Sequence, residues 1–293
     1  MENETENAGK ADGLELAVVG MGLIGGSFYK AARRAGYETH GLHHGETEGL
    51  GSADVVLVCL PPKAIVPWIR EHAPLFKAGA AVIDICGVKT PICRDCAAIA
   101  AGARWRFVGG HPMAGKEVTG FENSTPDLFL DKSMVLCPAA DEPADDPSPT
   151  GLPALAALFR SLGFSRVVVT TPAHHDEMIA FTSQLGHVIA SAYAQDPRVA
   201  DSVGFSAGSF ANMSRIATID PETWCDLYLA DREALLGALD DFAERLRRFR
   251  DALDARDEDA IKAFVAAGAA AKRRELSSHL FSNSFNFFRP PLT

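Results

Sequence analysis

One glycine-rich turn constrains the fold of this chain more than any other feature of the sequence. Residues 16–19 form an apolar run that ends in Gly20, and Gly22 and Gly25 complete a Gly-x-Gly-x-x-Gly pattern at the start of a helical pattern. Between a strand and a helix, the first glycine permits a tight turn, the second lets a pyrophosphate approach the backbone, and the third lets the helix pack on the strand. The stretch therefore predicts a dinucleotide-binding site, with a glycine-rich turn that binds no ligand as the alternative.

The start of the first predicted helix and the end of the second predicted strand complete the expected cofactor site. The free N–H groups near Leu23 and Ile24 would face the anion, with the dipole of the helix behind them. The second strand ends at His43, where NAD-selective proteins normally place a carboxylate that hydrogen-bonds the ribose 2′-hydroxyl. His43 cannot make that bond and would not repel a 2′-phosphate, so we predict NAD or NADP as cofactor, with weak discrimination. A strong preference would require another residue, Glu46 or Glu48, to contact the ribose.

The charge balance and the N-terminal sequence narrow the class of protein. The chain has 293 residues, of which 47% are hydrophobic, and 38 acidic against 28 basic residues give a net charge of −10. This excess of negative charge argues against nucleic acid and anionic membranes as partners, but not against a small anionic substrate. Residues 1–13 are polar and acidic, unlike a signal peptide, and no apolar run approaches the length of a membrane span. We therefore predict a soluble cytoplasmic protein.

The six cysteines are scattered and do not form a metal-binding pattern. Cys93 and Cys96 are the only close pair, and neither a second pair nor two histidines occur at a spacing that would complete a zinc site. We expect no bound metal and reduced thiols that are buried or half-buried, with a redox pair as the alternative.

Strand-like and helical patterns alternate in the first half of the chain, which predicts a Rossmann-like α/β domain with a parallel sheet and crossover helices. The strand-like runs are residues 16–20, 38–42, 54–60, 80–85, 107–109, 133–137 and 166–171. The helical stretches are residues 23–35, 63–76, 91–101 and 153–162. The crossover at residues 43–53 contains three glycines and little helical pattern, so we predict a loop there in place of the usual helix.

Strand signals disappear after Thr171, and the remaining chain predicts an all-α domain. The helical patterns cover residues 173–194, 220–255 and 257–276. We accordingly divide the chain into a dinucleotide-binding domain at 14–171, a helical substrate and dimerisation domain at 172–276, and a tail at 277–293. The helices from residue 220 to residue 276 carry more apolar residues than one small domain can cover, which predicts a homodimer.

A histidine that follows the fifth strand-like run is the first candidate for chemistry. His111 lies in the sequence Gly-Gly-His-Pro-Met-Ala-Gly, and ligands of open α/β sheets bind outside the carboxyl ends of the strands. An imidazole in such a loop can transfer a proton near neutral pH, whereas a structural loop histidine is the alternative. Lys116 and Glu117 follow closely and make this loop polar and charged.

Three polar side chains of the helical half are further candidates. Gln184 and His187 are three residues apart on one predicted helix and share a face. Arg215 lies at a predicted helix end, where a guanidinium can bind a carboxylate through two hydrogen bonds. A buried structural histidine and a surface arginine in a local ion pair are the respective alternatives.

Four segments occur in an order that is specific when they are taken together. They are Gly20-x-Gly-Leu-Ile-Gly-Gly-Ser27, Asp84-Ile-Cys-Gly-Val-Lys89, Gly109-Gly-His-Pro-Met-Ala-Gly115 and Ser214-Arg-Ile-Ala-x-x-Asp-Pro-x-x-Trp224. With these segments the chain resembles the prephenate/arogenate dehydrogenase family of tyrosine biosynthesis, over about residues 14–276.

This resemblance implies an oxidoreductase with a Rossmann-like N-terminal domain and a helical C-terminal domain that forms a dimer. Its expected reaction is the NAD(P)-dependent oxidative decarboxylation of prephenate or arogenate, two substrates that differ only in a keto or amino side chain. By resemblance, His111 accepts the substrate hydroxyl proton and Arg215 binds a substrate carboxylate. Secondary substrate contacts are expected from Gln184, His187, Lys116 and Glu117.

Three positions depart from the family pattern. Gly87 stands where many members have a serine, Gln184 where many bacterial members have a histidine, and Asn212 where an aspartate often precedes the substrate arginine. Two alternatives stay open. One is another two-domain dehydrogenase, such as a hydroxyacid or imine reductase. The other, motivated by the departures and the short crossover, is a non-catalytic homologue that binds a nucleotide or metabolite.

Overall fold

The computed structural model describes residues 13–116, 118–140, 142–205 and 208–281. Within these ranges the first half of the chain forms a seven-stranded sheet with the strand order β2-β1-β3-β4-β5-β6-β7. The strands are β1 (Glu15–Val19), β2 (Glu38–Leu42), β3 (Val55–Val58), β4 (Ala81–Asp84), β5 (Arg106–Pro112), β6 (Ser133–Cys137) and β7 (Arg166–Val169). Four helices accompany the sheet: α1 (Leu23–Ala35), α2 (Pro62–His72), α3 (Thr90–Ala100) and α4 (Leu152–Ser161).

The second half is helical from Pro172 onward. Its helices are α5 (Pro172–Ile179), α6 (Leu185–Ala194), α7 (Ser209–Ser214), α8 (Pro221–Ala230), α9 (Arg232–Asp254) and α10 (Glu258–Phe281). A π-helical turn, Ala180–Gln184, joins α5 to α6, and a 3₁₀ turn, Arg215–Ala217, continues α7. None of the helices in the described ranges is long and apolar enough to cross a membrane.

The two faces of the sheet bury separate apolar clusters because successive strand residues point to opposite sides. In β1, Leu16 and Val18 pack in the cluster that contains Phe28 of α1. The alternate residues of the same strand join the cluster on the other face, which contains Ile65 and Ile69 of α2. Burial on both faces explains why β1, β3 and β4 are nearly continuous apolar runs in the sequence.

One pairing in the sheet departs from the predicted parallel arrangement. Strands β1 to β5 are mutually parallel, and so are β6 and β7, but β6 runs antiparallel to β5. The described residues of the connection from β5 to β6 contain a single 3₁₀ turn, Phe121–Asn123, and no crossover helix. An antiparallel neighbour needs only such a return, whereas a parallel one needs a crossover of a dozen residues or more.

The loop predicted between the second and third strands is confirmed. Residues 43–54 form turns without a helix. Leu50 anchors this loop because its side chain is fully buried in the cluster that contains Val19. The loop therefore packs as part of the domain although it lacks a helix.

Three helices in the second half differ from the predicted ones. The predicted helix at 220–255 is divided at Asp231 into α8 and α9, and the predicted helix at 173–194 contains the π-helical turn. Helix α10 continues five residues beyond its predicted end at Leu276. The remainder of the predicted tail, residues 282–293, lies outside the described residues, as do residues 1–12.

The cysteines are free thiols. Four are buried and Cys59 is half-buried, as expected, but Cys225 is exposed. Burial raises the pKa of Cys96 to about 12, so this half of the Cys93/Cys96 pair is held as an unreactive thiol. Within the described ranges, no group of three or more His, Cys, Asp or Glu side chains could hold a metal ion.

Candidate active site

The glycine-rich turn at the carboxyl end of β1 has the shape that a pyrophosphate requires. A Cβ atom at Gly20, whose φ is 88°, would overlap the carbonyl oxygen of Cys59, and one at Gly25 would overlap the carbonyl oxygen of Gly20. A Cβ at Gly22 would meet nothing within 4 Å, so this position opens into free space. Helix α1 begins at Leu23 with neither a side-chain cap nor an acidic residue in its first turn. These features fit a bound dinucleotide phosphate.

The end of β2 carries a carboxylate that comes from outside the strand. The backbone N–H of His43 donates to Oε2 of Glu46 over 2.7 Å. Glu46 therefore places a carboxylate at the end of the strand, where the residue that follows the strand, His43, has no carboxylate of its own. Beside it lies a cavity of about 250 Å³. The cavity is lined by Met21, Tyr29, Gly41, His43 and Phe121.

A chain of hydrogen bonds connects the predicted catalytic histidine to a carboxylate of the helical half. His111 lies within β5, and not in the loop after it as expected, and its Nδ1 is 2.8 Å from Nε2 of His175 on α5. Nδ1 of His175 is 2.8 Å from Oδ1 of Asp176. The two carboxylate oxygens of Asp176 also accept the backbone N–H groups of Lys89, over 2.8 Å, and Thr90, over 2.7 Å.

The protonation states along this chain follow from its surroundings. Burial alone would raise the pKa of Asp176, but the hydrogen bonds from His175 and Thr90 outweigh it and lower that pKa. An ionised Asp176 can only accept, so His175 carries its proton on Nδ1 and offers Nε2 as an acceptor. His111 must then donate through Nδ1, which leaves its Nε2 with a free lone pair.

Both imidazoles are held neutral. Burial lowers the pKa of His175 against the opposing attraction of Asp176. Burial also holds the pKa of His111 well below its usual value, and the neighbouring His175 and Lys89 add to this effect. His111 is therefore a neutral base at physiological pH, with Nε2 as the atom that can accept a proton.

The residue at 87 leaves room beside that nitrogen. A Cβ built on Gly87 would lie 3.7 Å from both Cε1 and Nε2 of His111 and 3.5 Å from Cδ2 of Leu227, which are ordinary contact distances. The φ of Gly87 lies outside the left-handed region, so a side chain is compatible with its backbone. Leu227 belongs to α8, which also contacts the first half of the chain through an ion pair of 2.6 Å between Lys63 and Asp226.

A buried ion pair lies where the loop after β4 meets the strand that carries His111. Lys89 and Asp84 are both fully buried and bonded to each other. Burial alone would lower the pKa of Lys89, but Asp84 raises it above its usual value, so Lys89 remains charged. Asp84 also accepts the backbone N–H groups of Cys86, over 3.0 Å, and Gly110, over 3.3 Å, which ties the loop after β4 to the strand that carries His111.

The helical half presents a second group of polar side chains. Nδ1 of His187 donates to the carbonyl oxygen of Ser183 over 2.9 Å, and its ring packs on Trp224 with the centroids 3.9 Å apart. Arg215 is exposed at the first residue of the 3₁₀ turn, which packs against α6. The structure thus brings Arg215 and His187 to neighbouring elements.

The other predicted site residues are Gln184, Lys116 and Glu117. Gln184 is only 2% exposed and faces Asp231, so it does not line an open surface. Lys116 is exposed in the loop after β5, and Glu117 lies outside the described residues. His175 and Asp176 were not predicted as site residues, although both belong to a His-His-Asp run at the start of a predicted helix.

Comparisons with known proteins agree with this architecture. The family model of the prephenate dehydrogenase nucleotide-binding domain matches residues 18–147, and that of the prephenate dehydrogenase dimerization domain matches residues 171–267. The cyclohexadienyl dehydrogenase of Zymomonas mobilis is 29% identical over an alignment that covers 83% of this chain and 90% of that protein. A prephenate dehydrogenase of Lactococcus lactis is 23% identical, and the alignment covers 94% of this chain and 81% of the relative.

Solved structures share the fold over nearly the whole chain. The arogenate dehydrogenase of Synechocystis superposes with a TM-score of 0.75 at 23% identity, covering 89% of this chain and 100% of the other. A prephenate dehydrogenase from Aquifex aeolicus, solved with hydroxyphenyl propionate and NAD+, gives a TM-score of 0.73 at 24% identity and covers 90% and 98%.

Proposed function

The chain belongs to the prephenate dehydrogenase family, and from this premise we propose that it catalyses the oxidative decarboxylation of prephenate to 4-hydroxyphenylpyruvate, or of arogenate to its aromatic product. The observation that carries the proposal is the neutral His111, whose Nδ1 is bonded to His175 and whose Nε2 is free to accept a proton. The cofactor is NAD or NADP, which fits the open glycine turn at Gly22.

We propose that His111 acts as the general base. When bound, the nicotinamide supplies the acceptor for the hydride that leaves the ring carbon bearing the hydroxyl. Nε2 of His111 takes the hydroxyl proton as the carbonyl develops, and loss of the ring carboxylate as CO2 then makes the ring aromatic. The positive charge that arrives on His111 is stabilised through His175 by the ionised Asp176.

Substrate binding is proposed for the helical half. Arg215 is the proposed partner of a substrate carboxylate, and His187, oriented by its bond to Ser183, is the proposed second polar contact. Direct contacts from Lys116 and Glu117 stay predictions. The burial of Gln184 supports an indirect role in place of the direct contact expected from the sequence.

Glu46 supports a preference for NAD. Its carboxylate lies at the end of β2, bonded to the backbone N–H of His43, in the region where an acidic side chain normally hydrogen-bonds the ribose 2′-hydroxyl. A carboxylate there would also repel the 2′-phosphate of NADP. The weak discrimination expected from His43 alone stays the alternative prediction, and titration with both nucleotides decides between the two.

A homodimer through α9 and α10 is proposed for the assembly. Large apolar side chains are exposed on both helices, among them Leu253 at 58% and Val265 at 61%. The matching family model for this half is described as a dimerization domain. Light scattering at micromolar concentration measures the oligomeric state, and a monomer would contradict the proposal.

The decisive experiment crosses two substrates with two cofactors. Purified protein is mixed with prephenate or arogenate and with NAD or NADP, and absorbance at the band of the reduced nicotinamide is followed. Turnover with either substrate supports the proposal and identifies the substrate. Nucleotide binding without turnover of either one would favour a non-catalytic homologue.

A further inference from the structure

A buried aspartate at the junction of α8 and α9 does not behave as an ordinary helix cap. Asp231 is the single residue between the two helices and is 5% exposed. An aspartate at this position normally accepts a backbone N–H from the first turn of the following helix. The side chain of Asp231 makes no such bond, and its Oδ2 has no hydrogen-bond partner among the described residues.

A second unsatisfied oxygen belongs to the side chain that faces Asp231. Gln184, at the end of the π-helical turn, is 2% exposed, and its side-chain amide faces the Asp231 carboxyl. Oε1 of Gln184 is buried without a partner among the described residues, as is Oδ2 of Asp231. Two neighbouring side chains therefore each carry a buried acceptor oxygen without a donor, which is an unfavourable arrangement.

One proton between these side chains satisfies both oxygens. A protonated carboxyl has one O–H donor, and a primary amide has both a donor and an acceptor. If Oδ2 of Asp231 carries the proton, it donates to Oε1 of Gln184 while the Gln184 amide donates to Oδ1, and the two side chains form a closed ring. We propose that Asp231 is protonated in the native enzyme and that its acid–amide pair with Gln184 positions the π-helical turn beside the catalytic histidines.

The charges around Asp231 favour this state. Burial and, to a smaller extent, the negative charge of Asp176 on α5 raise the pKa of Asp231 to about 7, against the opposing effect of the facing Gln184 amide. No other charged group of the described residues, from α6, α8 or α10, contributes to this pKa. The positive end of the α9 dipole would favour an ionised carboxyl, but it does not overcome the burial.

The pair acts on catalysis through Asp176. The negative charge of Asp176 raises the pKa of Asp231. The same Asp176 also orients His175 and, through His175, His111. Ionisation of Asp231 would open the ring with Gln184 and place a second negative charge near Asp176. Asp231 is therefore a positioning residue, and this kinetic consequence rests on the proposed function of the site.

The first test compares the pH dependence of stability in two variants. Asp231→Asn keeps a closed amide–amide pair but removes the titrating proton, and Asp240→Asn is a matched control because Asp240 is exposed on the same helix. A carboxyl whose pKa is raised in the folded state stabilises the fold at acid pH and loses that contribution as pH rises to about 7. The unfolding equilibrium constant of the wild type should therefore rise, relative to that of Asp231→Asn, by up to about tenfold per pH unit between about pH 5 and 7.

The control variant and the variant under test should give different pH profiles of stability. Asp240→Asn should follow the wild type, and a parallel profile for Asp231→Asn would overturn the proposal. Infrared difference spectra supply a second readout that does not depend on how well the variant folds. The wild type near pH 6 should show the C=O band of a protonated carboxyl that disappears toward pH 9, is absent from Asp231→Asn, and shifts in Gln184→Met. Absence of that band in the wild type would overturn the proposed acid–amide pair of Asp231 and Gln184.

Kinetics separate the positioning role from the proposed function. Asp231→Ala should lower kcat with little change in KM, whereas Asp231→Asn should retain kcat and lose an ionisation near pH 7 from the pH profile. Equal kcat values for the alanine and asparagine variants would overturn the positioning role. Absence of turnover in every protein, including the wild type, would instead overturn the proposed function and leave the infrared and stability results standing.

Discussion

The Nδ1 atom of His111 lies 2.8 Å from Nε2 of His175, and this contact decides which nitrogen of His111 can take a proton. The ionised Asp176 holds the proton of His175 on Nδ1, so His175 can only accept from His111. The strand β5 and the helix α5 carry the two histidines, so the proposed base is oriented by both halves of the chain.

Replacing His111 by asparagine should affect the chemical step. Because Nε2 takes the proton only as the carbonyl develops, its contribution belongs to the transition state and not to substrate binding. We expect His111→Asn to lower kcat by about 10²–10⁴-fold, the usual contribution of a general base, with little change in KM. Steady-state kinetics measure this, with cofactor binding as the control for folding, and an unaltered kcat would remove His111 from the mechanism.

The activity should persist to acid pH. Burial and the neighbouring His175 hold the pKa of His111 well below its usual value of about 6.5, so the base stays unprotonated at and below that pH. The acid limb of kcat/KM should therefore fall with an apparent pKa clearly below 6.5. A limb at or above 6.5 would show that the base which limits the rate is not the buried His111.

The same two imidazoles should make stability depend on acid pH. His111 and His175 both have lowered pKa values in the folded state, so the unfolded chain binds more protons as pH falls below about 6.5. Their neutral forms consequently contribute stability above that pH, and this contribution is lost on acidification. The free energy of unfolding of His175→Gln should depend less steeply on acid pH than that of the wild type.

Gly87→Ser should improve the orientation of the base. The added Cβ would lie 3.7 Å from Nε2 of His111, which brings a hydroxyl within reach of that nitrogen or of the substrate oxygen without a clash. One added hydrogen bond contributes about 0.5–1.5 kcal/mol, so kcat should rise by up to about tenfold. Gly87→Ala is the matched control, since it adds the Cβ without the hydroxyl, and equal kinetics of the two variants would rule out a role for the hydroxyl.

Arg215→Ala should mainly weaken substrate binding. A guanidinium that holds a carboxylate before and during hydride transfer contributes equally to the ground state and the transition state, so its loss raises KM more than it lowers kcat. The expected cost in kcat/KM is about 2–5 kcal/mol, as for removal of one partner of a charge pair that the bound substrate buries. Arg215→Lys should retain only part of the lost kcat/KM, because an ammonium cannot form the two parallel hydrogen bonds that a guanidinium forms with a carboxylate. An unchanged KM for Arg215→Ala would place the carboxylate elsewhere.

Glu46→Gln should reduce the preference for NAD. Removal of the negative charge relieves the repulsion of a 2′-phosphate and weakens the bond to the 2′-hydroxyl, so the ratio of the two dissociation constants should shift toward NADP by about tenfold or more. Fluorescence titration with each nucleotide measures this ratio without turnover. Glu48→Gln is the control on the same loop, and a wild type that binds NADP as tightly as NAD would exclude Glu46 as the determinant.

The elements that follow local rules were predictable from the sequence. Helix α1 has its predicted bounds, and β2 and β6 match theirs, because apolar periodicity and a glycine turn are properties of neighbouring residues. The loop without a helix between β2 and β3 was predictable for the same reason. Its short, glycine-rich composition leaves no room for a helical turn.

The direction of β6 and the partner of His111 were not predictable in this way. A strand pattern is the same whether the strand runs parallel or antiparallel, so only the path of residues 113–132 decides that β6 opposes β5. Likewise, the His-His-Asp run that contains His175 has no visible role until α5 packs beside β5. Sixty-four residues separate His111 from His175 in the chain.

The sequence by itself determined the dinucleotide-binding turn, the alternation of strands and helices, the change to an all-α second half and the family, because each of these is encoded in patterns of nearby residues. Only the tertiary structure decided the tautomer of His111, the burial of Gln184 against Asp231 and the return of Glu46 to the end of β2. These properties depend on burial and on hydrogen bonds between side chains that distant segments bring together. The pKa of a histidine and the satisfaction of a buried oxygen are set by neighbours in space, and the chain order does not contain those neighbours.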